Sequence, residues 1–240
     1  MAYVCESTGV AREEIAVAPV LVGTFAAELT SFLAERHGGR RSGHWAATGS
    51  GRDLYHLDGR VCVATLPPGA PAAVSFVEEL IACGARTLLI VGMAGSLQPD
   101  LPIGSVVLPT SAIREEGTSH HYLPAEVPAT ATPALVDALE AAWKGNGPRP
   151  RAGFHWTTDA PYREHQRKVF AYREAGVLSV DMEVSALYSV AQHRGMAAAA
   201  ILAISDELYE PWRLGFRTPE LRRAVARAGL AALEAGFGVC

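Results

Sequence analysis

Residues Thr87-Leu88-Leu89-Ile90-Val91 form an unbroken run of β-branched and aliphatic side chains. A strand with one wet face alternates apolar and polar residues, so an unbroken run is the pattern of a strand covered on both faces. Arg60-Val61-Cys62-Val63-Ala64-Thr65-Leu66 is a second such strand, bounded by Asp58-Gly59 and Pro67-Pro68-Gly69, and residues 14–21 form a third. Helical patterns separate them at 26–36 and at 71–82, where Val74, Val77, Leu80 and Ile81 recur at helical spacing and Pro71 suits a first turn. Further strands are predicted over 105–108, 151–157, 177–180 and 198–204, and helices over 133–143, 162–174, 183–193 and 219–235. This alternation predicts an α/β fold: a single domain over 1–240 with a central mixed, largely parallel twisted sheet flanked by helices. The stretch 143–148, rich in Gly and Pro, reads as a surface connection, because the alternation continues through it.

Composition excludes several classes. With 49% hydrophobic residues in a chain of 240, whole-chain disorder is ruled out. Lys+Arg 21 against Asp+Glu 25 gives a net charge of −4, so no basic surface for a nucleic-acid partner is predicted. No apolar window is long enough to span a bilayer, and residues 1–14 carry Glu6, Arg12, Glu13 and Glu14 where a secretory signal would be apolar, so a cytoplasmic location without a membrane partner is expected. Cys5, Cys62, Cys83 and Cys240 are too dispersed for a disulfide framework or zinc site. The low charged fraction, 19%, leaves apolar surface to be hidden, partly between subunits.

Three segments carry candidate chemistry at strand ends, where open α/β sheets bind ligands. Val91-Gly92-Met93-Ala94-Gly95-Ser96 is a small-residue loop whose glycines would let a ligand approach the backbone, or simply a tight turn. It matches neither the P-loop nor the dinucleotide fingerprint. In Val180-Asp181-Met182-Glu183 a strand ends in two carboxylates around an apolar residue. Glu183 there can accept hydrogen bonds from paired sugar hydroxyls; the alternative is that Asp181 or Glu183 caps the next helix. Ser205 and Asp206 close the apolar strand Ile201-Leu202-Ala203-Ile204, where a partly desolvated carboxyl can serve as a general acid, or again as a cap. His120, His121, His155 and His165 lack a metal-ligand spacing, and no Gly-x-Ser-x-Gly exists, so no metal, cofactor or nucleophilic triad is predicted.

Taken in order, these segments resemble a known family. They are Leu89-Ile90-Val91-Gly92-Met93-Ala94-Gly95-Ser96-Leu97-Gln98-Pro99, Ile103-Gly104-Ser105-Val106-Val107 and Arg114-Glu115-Glu116-Gly117-Thr118-Ser119-His120-His121-Tyr122. Thr157-Thr158-Asp159-Ala160-Pro161-Tyr162-Arg163, Asp181-Met182-Glu183 and Ser205-Asp206 follow. The set, spanning roughly residues 15–230, resembles the uridine phosphorylase branch of the nucleoside phosphorylase superfamily. The resemblance implies cleavage of the N-glycosidic bond of a small-molecule nucleoside through an oxocarbenium-like transition state. It implies Glu183 on the sugar 2′- and 3′-hydroxyls, Met182 against the ribose, and Asp206, steadied by Ser205, as acid to the departing base. Thr158, Pro161 and Tyr162 would line the base, and Met93, Ala94, Gly95 and Asp181 would complete the substrate site. It also implies a homo-oligomer, a dimer or a hexamer built from dimers.

The departures concern the acceptor. Phosphorolytic relatives hold phosphate with arginines, whose charged donors suit a dianion. Their strand-end arginine falls here at Ile90 and a phosphate-contacting hydroxyl at Met93; their early Gly-Asp-Pro-x-x-Arg loop has no counterpart around residues 19–24. The arginine a neighbouring subunit donates aligns near Thr48 or Gly49, with Arg52 close by, and the base-stacking aromatic aligns near Pro161. An unpaired dianion against Ile90 and Met93 would be costly to desolvate. Water is therefore the expected acceptor, positioned by Glu28, Glu115 or Glu116; phosphorolysis at a non-standard site and a non-catalytic nucleoside-binding relict are the alternatives. Arg213 and Arg217 read as solvated surface arginines, or alternatively as a guanidinium that supports Asp206, while Arg163, Gln166 and Arg167 lie near the base wall without the family's spacing.

Overall fold

In the computed structural model, which describes residues 15–47, 53–144, 148–209 and 211–239, the run at 87–91 lies inside an 11-stranded sheet. Leu88, Leu89, Ile90 and Val91 are fully buried, as a strand covered on both faces must be. The first elements are β1 (Val20–Thr24), α1 (Ala27–Arg36), β2 (Arg40–Arg41), α2 (Gly43–Ala47), β3 (Leu54–Leu57), β4 (Val61–Thr65) and α3 (Ala70–Ala82). Next come β5 (Thr87–Ser96), β6 (Val106–Glu115), β7 (Ala129–Thr130), α4 (Pro133–Ala142), β8 (Arg151–Thr158) and α5 (Gln166–Glu174). Last are β9 (Ser179–Asp181), α6 (Val184–Arg194), β10 (Ala197–Glu207), β11 (Arg213–Leu214) and α7 (Pro219–Gly238).

The mixed, largely parallel sheet flanked by helices is present, with one feature the pattern did not disclose. β5 pairs in parallel with β1 and β10, β1 with β4, β6 with β8, and β8 with β9. Antiparallel contacts join β10 to β6 and β9 to the end of β5. The path β5–β10–β6–β8–β9 therefore returns to β5 and closes into a barrel, while β1, β4, β3 and β2 extend from it as a wing. Closure removes the open edges of these strands and gathers several strand ends around one mouth.

Local boundaries moved for identifiable reasons. The expected loop at 92–96 is strand: Met93, Ala94 and Gly95 pair with Ala203, Ile204 and Asp206 of β10, and Gly95 also with Val180. β1 starts at Val20 because Pro19 turns its carbonyl to the amides of Arg86 and Thr87. The expected helix over 162–174 is split into a 3₁₀ turn, Pro161–Arg163, and α5, with His165 extended between them.

Two helices set the core. All residues of α6 from Val184 to Ala191 are buried, so this helix runs through the interior and ends at Gly195, whose φ of +64° suits glycine. On α7, Ala224, Ala228, Ala231, Ala232 and Ala235 are buried, and the helix packs on β10, itself alanine-rich at Ala197–Ala200. Small side chains on both surfaces let helix and strand approach closely. Cys62 and Cys83 are buried and share no disulfide, with burial pushing the Cys62 thiol up to about 12; Cys5 and Cys240 lie outside the described residues. Among the described residues no helix is long and apolar enough to cross a membrane.

Candidate active site

The pairing of β10 with β5 shifts register between Ile204 and Asp206, a bulge at Ser205. A regular strand would turn Ser205 and Asp206 to opposite faces; the bulge re-aims them, and both line one cavity. The Ser205 hydroxyl lies 2.7 Å from Asp206 Oδ1 and 3.2 Å from the Ala94 carbonyl, and the Trp212 indole N–H donates to Asp206 Oδ2 at 3.1 Å. Opposite stands Gly95, where a Cβ would meet Leu208 Cδ1 at 2.1 Å and Asp206 Oδ2 at 3.4 Å. That glycine makes room for the end of β10 itself. No support for Asp206 comes from the two arginines considered for it: Arg213 pairs with the buried Glu207 at 3.1 Å, and neither Arg213 nor Arg217 lines the cavity.

On the facing side, the carboxylates around Met182 divide the two roles proposed for them. Asp181 accepts from Thr157 Oγ1 at 2.7 Å and from the Val184 amide at 3.0 Å, so it ties β9 to β8 and caps α6. Behind it, His155 Nε2 lies 2.9 Å from Asp181 Oδ1 but is not aligned for a hydrogen bond, and His155 Nδ1 meets Ser179 Oγ at 2.9 Å. Glu183 takes no capping bond. Its Oε1 accepts from the Gly69 amide at 2.6 Å and its Oε2 from the Met182 amide at 3.3 Å. Gly69, at φ +89°, holds a conformation suited to glycine that aims this amide across the cavity wall. Burial, with Asp181's charge nearby, pushes the Glu183 carboxyl well above the usual carboxylate range.

The cavity measures about 420 Å³ and collects Met93, Ala94, Gly95, Pro161, Tyr162, Asp181, Met182, Glu183, Ser205 and Asp206. Its size suits a small organic ligand. Thr158 is not among the lining residues: it is buried, and its Oγ1 accepts from the Ala160 amide at 3.3 Å. Two further lining residues, Glu164 and Trp212, lie outside the motifs. Glu164 follows Tyr162 by two positions, but its inward turn depends on the 3₁₀ segment at Pro161–Arg163. Burial and then the Asp206 charge push its carboxyl up to about 7, against a smaller opposing pull from Lys168.

Among the described residues, every charged side chain lining the cavity is acidic: Glu164, Asp181, Glu183 and Asp206. Ile90 is buried in the core, and Met93 stands at the cavity 40% exposed. Thr48, Gly49 and Arg52 lie outside the described residues. None of the glutamates expected to position water reaches the cavity. Glu28 is exposed in the first turn of α1, Glu115 is held by Trp156, Lys168 and Tyr172, and Glu116 by Ser185 and the Ser119 amide.

A family model described as "Phosphorylase superfamily" matches residues 15–235. The chain is 30% identical to uridine phosphorylase of Haemophilus influenzae over 166 residues, 63% of this chain and 66% of that protein. It is 34% identical to guanosine phosphorylase of Halorubrum lacusprofundi over 58% of each chain, and 32% identical to uridine phosphorylase of Treponema pallidum over 67% of this chain and 69% of that one. The matches to the first two thus span less than two thirds of those relatives' lengths. Two crystal structures share the fold. Uridine phosphorylase from Vibrio fischeri has a TM-score of 0.81 at 22% identity, covering 94% of both chains. Purine nucleoside phosphorylase from Toxoplasma gondii, in complex with immucillin-H, has 0.82 at 24%, covering 96% of this chain and 94% of that one. With that model spanning nearly all described residues, and relatives named as uridine phosphorylases, the chain belongs to the Phosphorylase superfamily, in its uridine phosphorylase-like branch.

Proposed function

We propose that this protein cleaves the N-glycosidic bond of a nucleoside or nucleoside-like compound. The observation that carries this reading is the meeting of Glu183, at the start of α6, and the Ser205–Asp206 pair, at the end of β10, in one cavity. Glu183 accepts hydrogen bonds from the sugar 2′- and 3′-hydroxyls, Met182 packs against the ribose, and Pro161 and Tyr162 wall the base. Asp206 shares or delivers a proton to the base as the bond breaks, with Ser205 fixing one of its oxygens. Positive charge growing on the sugar is stabilised by the preorganised acidic lining. Binding without turnover remains a competing reading, and Asp206→Asn separates the two: wild-type turnover that falls by at least roughly a hundredfold in the variant excludes a relict pocket.

Phosphate is the acceptor that the relatives favour, since those compared are named phosphorylases. The preference for water drawn from the missing arginines finds no support among them. Because the lining carries carboxylates and no arginine or lysine among the described residues, the cations that meet phosphate must come from elsewhere. Incubation of a nucleoside panel with and without phosphate tests this. Base release that requires phosphate, with sugar 1-phosphate as product, is expected; equal release in phosphate-free buffer overturns phosphorolysis. We further infer from the family resemblance that copies of the chain associate, which sedimentation would report as a species larger than one chain.

A further inference from the structure

Asp206 is held by two neutral donors, the Ser205 hydroxyl on Oδ1 and the Trp212 indole N–H on Oδ2. Trp212 sits just before β11, which pairs antiparallel with β10 so that Leu214 lies opposite Asp206. The indole faces two spaces: the main cavity, and an adjoining hollow of about 270 Å³ shared with Pro161, Tyr162 and Glu164. No buried packing explains this placement, because Trp212 is 63% exposed. Its one polar atom nevertheless reaches the carboxylate. An indole N–H can donate and cannot accept or titrate, so it orients the carboxylate without placing a full positive charge beside it. The charged groups around this point are Glu164, from the turn after β8, and Asp181 and Glu183 across the cavity; Arg213 is engaged by Glu207.

We propose that Trp212 is a positioning residue: through Oδ2 it fixes the plane of the Asp206 carboxylate on the base side of the cavity. This rests on the nucleoside-cleaving reading. The substrate side of Asp206 is then defined by what the two donors leave free. Losing one donor to a charged acceptor weakens alignment without removing the acid. Trp212→Phe keeps the ring and deletes only the N–H.

The test is a double-mutant cycle on the full-length protein with the best nucleoside substrate. Trp212→Phe should lower kcat by roughly tenfold while KM stays within about twofold. In the Asp206→Asn background the same substitution should change the single-turnover rate by less than about twofold, since the group it positions is gone. A Trp212→Phe enzyme with wild-type kcat, or a loss that multiplies in full onto Asp206→Asn, overturns the proposal. A wild-type protein that turns over no nucleoside overturns the cleavage reading and this proposal together, a result distinguishable because it needs no variant.

Discussion

Glu115, at the end of β6, and Glu164, in the turn after β8, both feel Lys168 and have opposite fates. Glu115 accepts from the Trp156 indole at 2.9 Å, from Lys168 at 2.9 Å and from the Tyr172 hydroxyl at 2.8 Å. Burial alone would push its carboxyl up, but these partners, Lys168 first, outweigh it and hold the group below the usual range. Glu164 faces the cavity with Asp206 near it, and burial and that like charge push it up to about 7. A carboxylate surrounded by donors locks strands and helices together; one without that support stands ready to exchange a proton or meet a ligand.

The contrast can be broken from either side. The largest effect is expected at the cavity: Glu183→Gln should lower kcat/KM by roughly a hundredfold or more, because its amide nitrogen replaces one of the two oxygens that meet the sugar hydroxyls and the Gly69 and Met182 amides. Thermal unfolding should be little changed, and steady-state kinetics beside a melting curve would show both. Glu115→Gln should act in reverse. It weakens a bond to Lys168 and leaves Trp156 and Tyr172 competing for one oxygen, costing about 2 kcal/mol, or roughly 4–8 °C in melting midpoint, with kcat nearly unchanged.

The smallest effect is a pH dependence at Glu164. Its folded-state value, about 7, lies above the ordinary 4.5, so the folded protein holds this proton more tightly than the unfolded chain. The stabilisation from the bound proton is full below about pH 4.5 and is lost as pH rises through 7. Glu164→Gln, which cannot ionise, should therefore melt a few degrees above wild type at pH 8, about 1 kcal/mol after solvent screening, and match it at pH 4. An unchanged difference between the two pH values would show that this carboxyl does not titrate as its surroundings require.

Much of the fold was legible because its signals are local. The run at 87–91, the strand at 60–66 and the periodic helix at 71–82 each declare themselves within a few residues, and β5, β4 and α3 lie where those patterns put them. The short strands β2, β7 and β9 depend on partners elsewhere in the chain, and β3 and β11 are hairpin strands too short to show a period, so their boundaries were hidden or blurred. Of the site, Asp181, Glu183, Ser205 and Asp206 were visible as polar residues at the ends of apolar strands, with Met182 between the first two. Glu115 and Glu116 misled for the same reason: sequence shows a carboxylate but not the Lys168, Tyr172 or Ser185 that occupies it.

By itself, then, the sequence determined the α/β alternation, the strands that form the centre of the sheet and the two strand ends that carry the chemistry. These follow from periodicity and from the cost of burying polar groups, which act residue by residue. Only the tertiary structure decided that β9 returns to β5 to close the barrel, that a bulge turns Ser205 and Asp206 to the same cavity, and that Trp212 rather than an arginine grips Asp206. The first two are pairings between segments distant in the chain, and the third rests on the turn that folds β11 back on β10, so each depends on geometry that no run of apolar or polar residues displays.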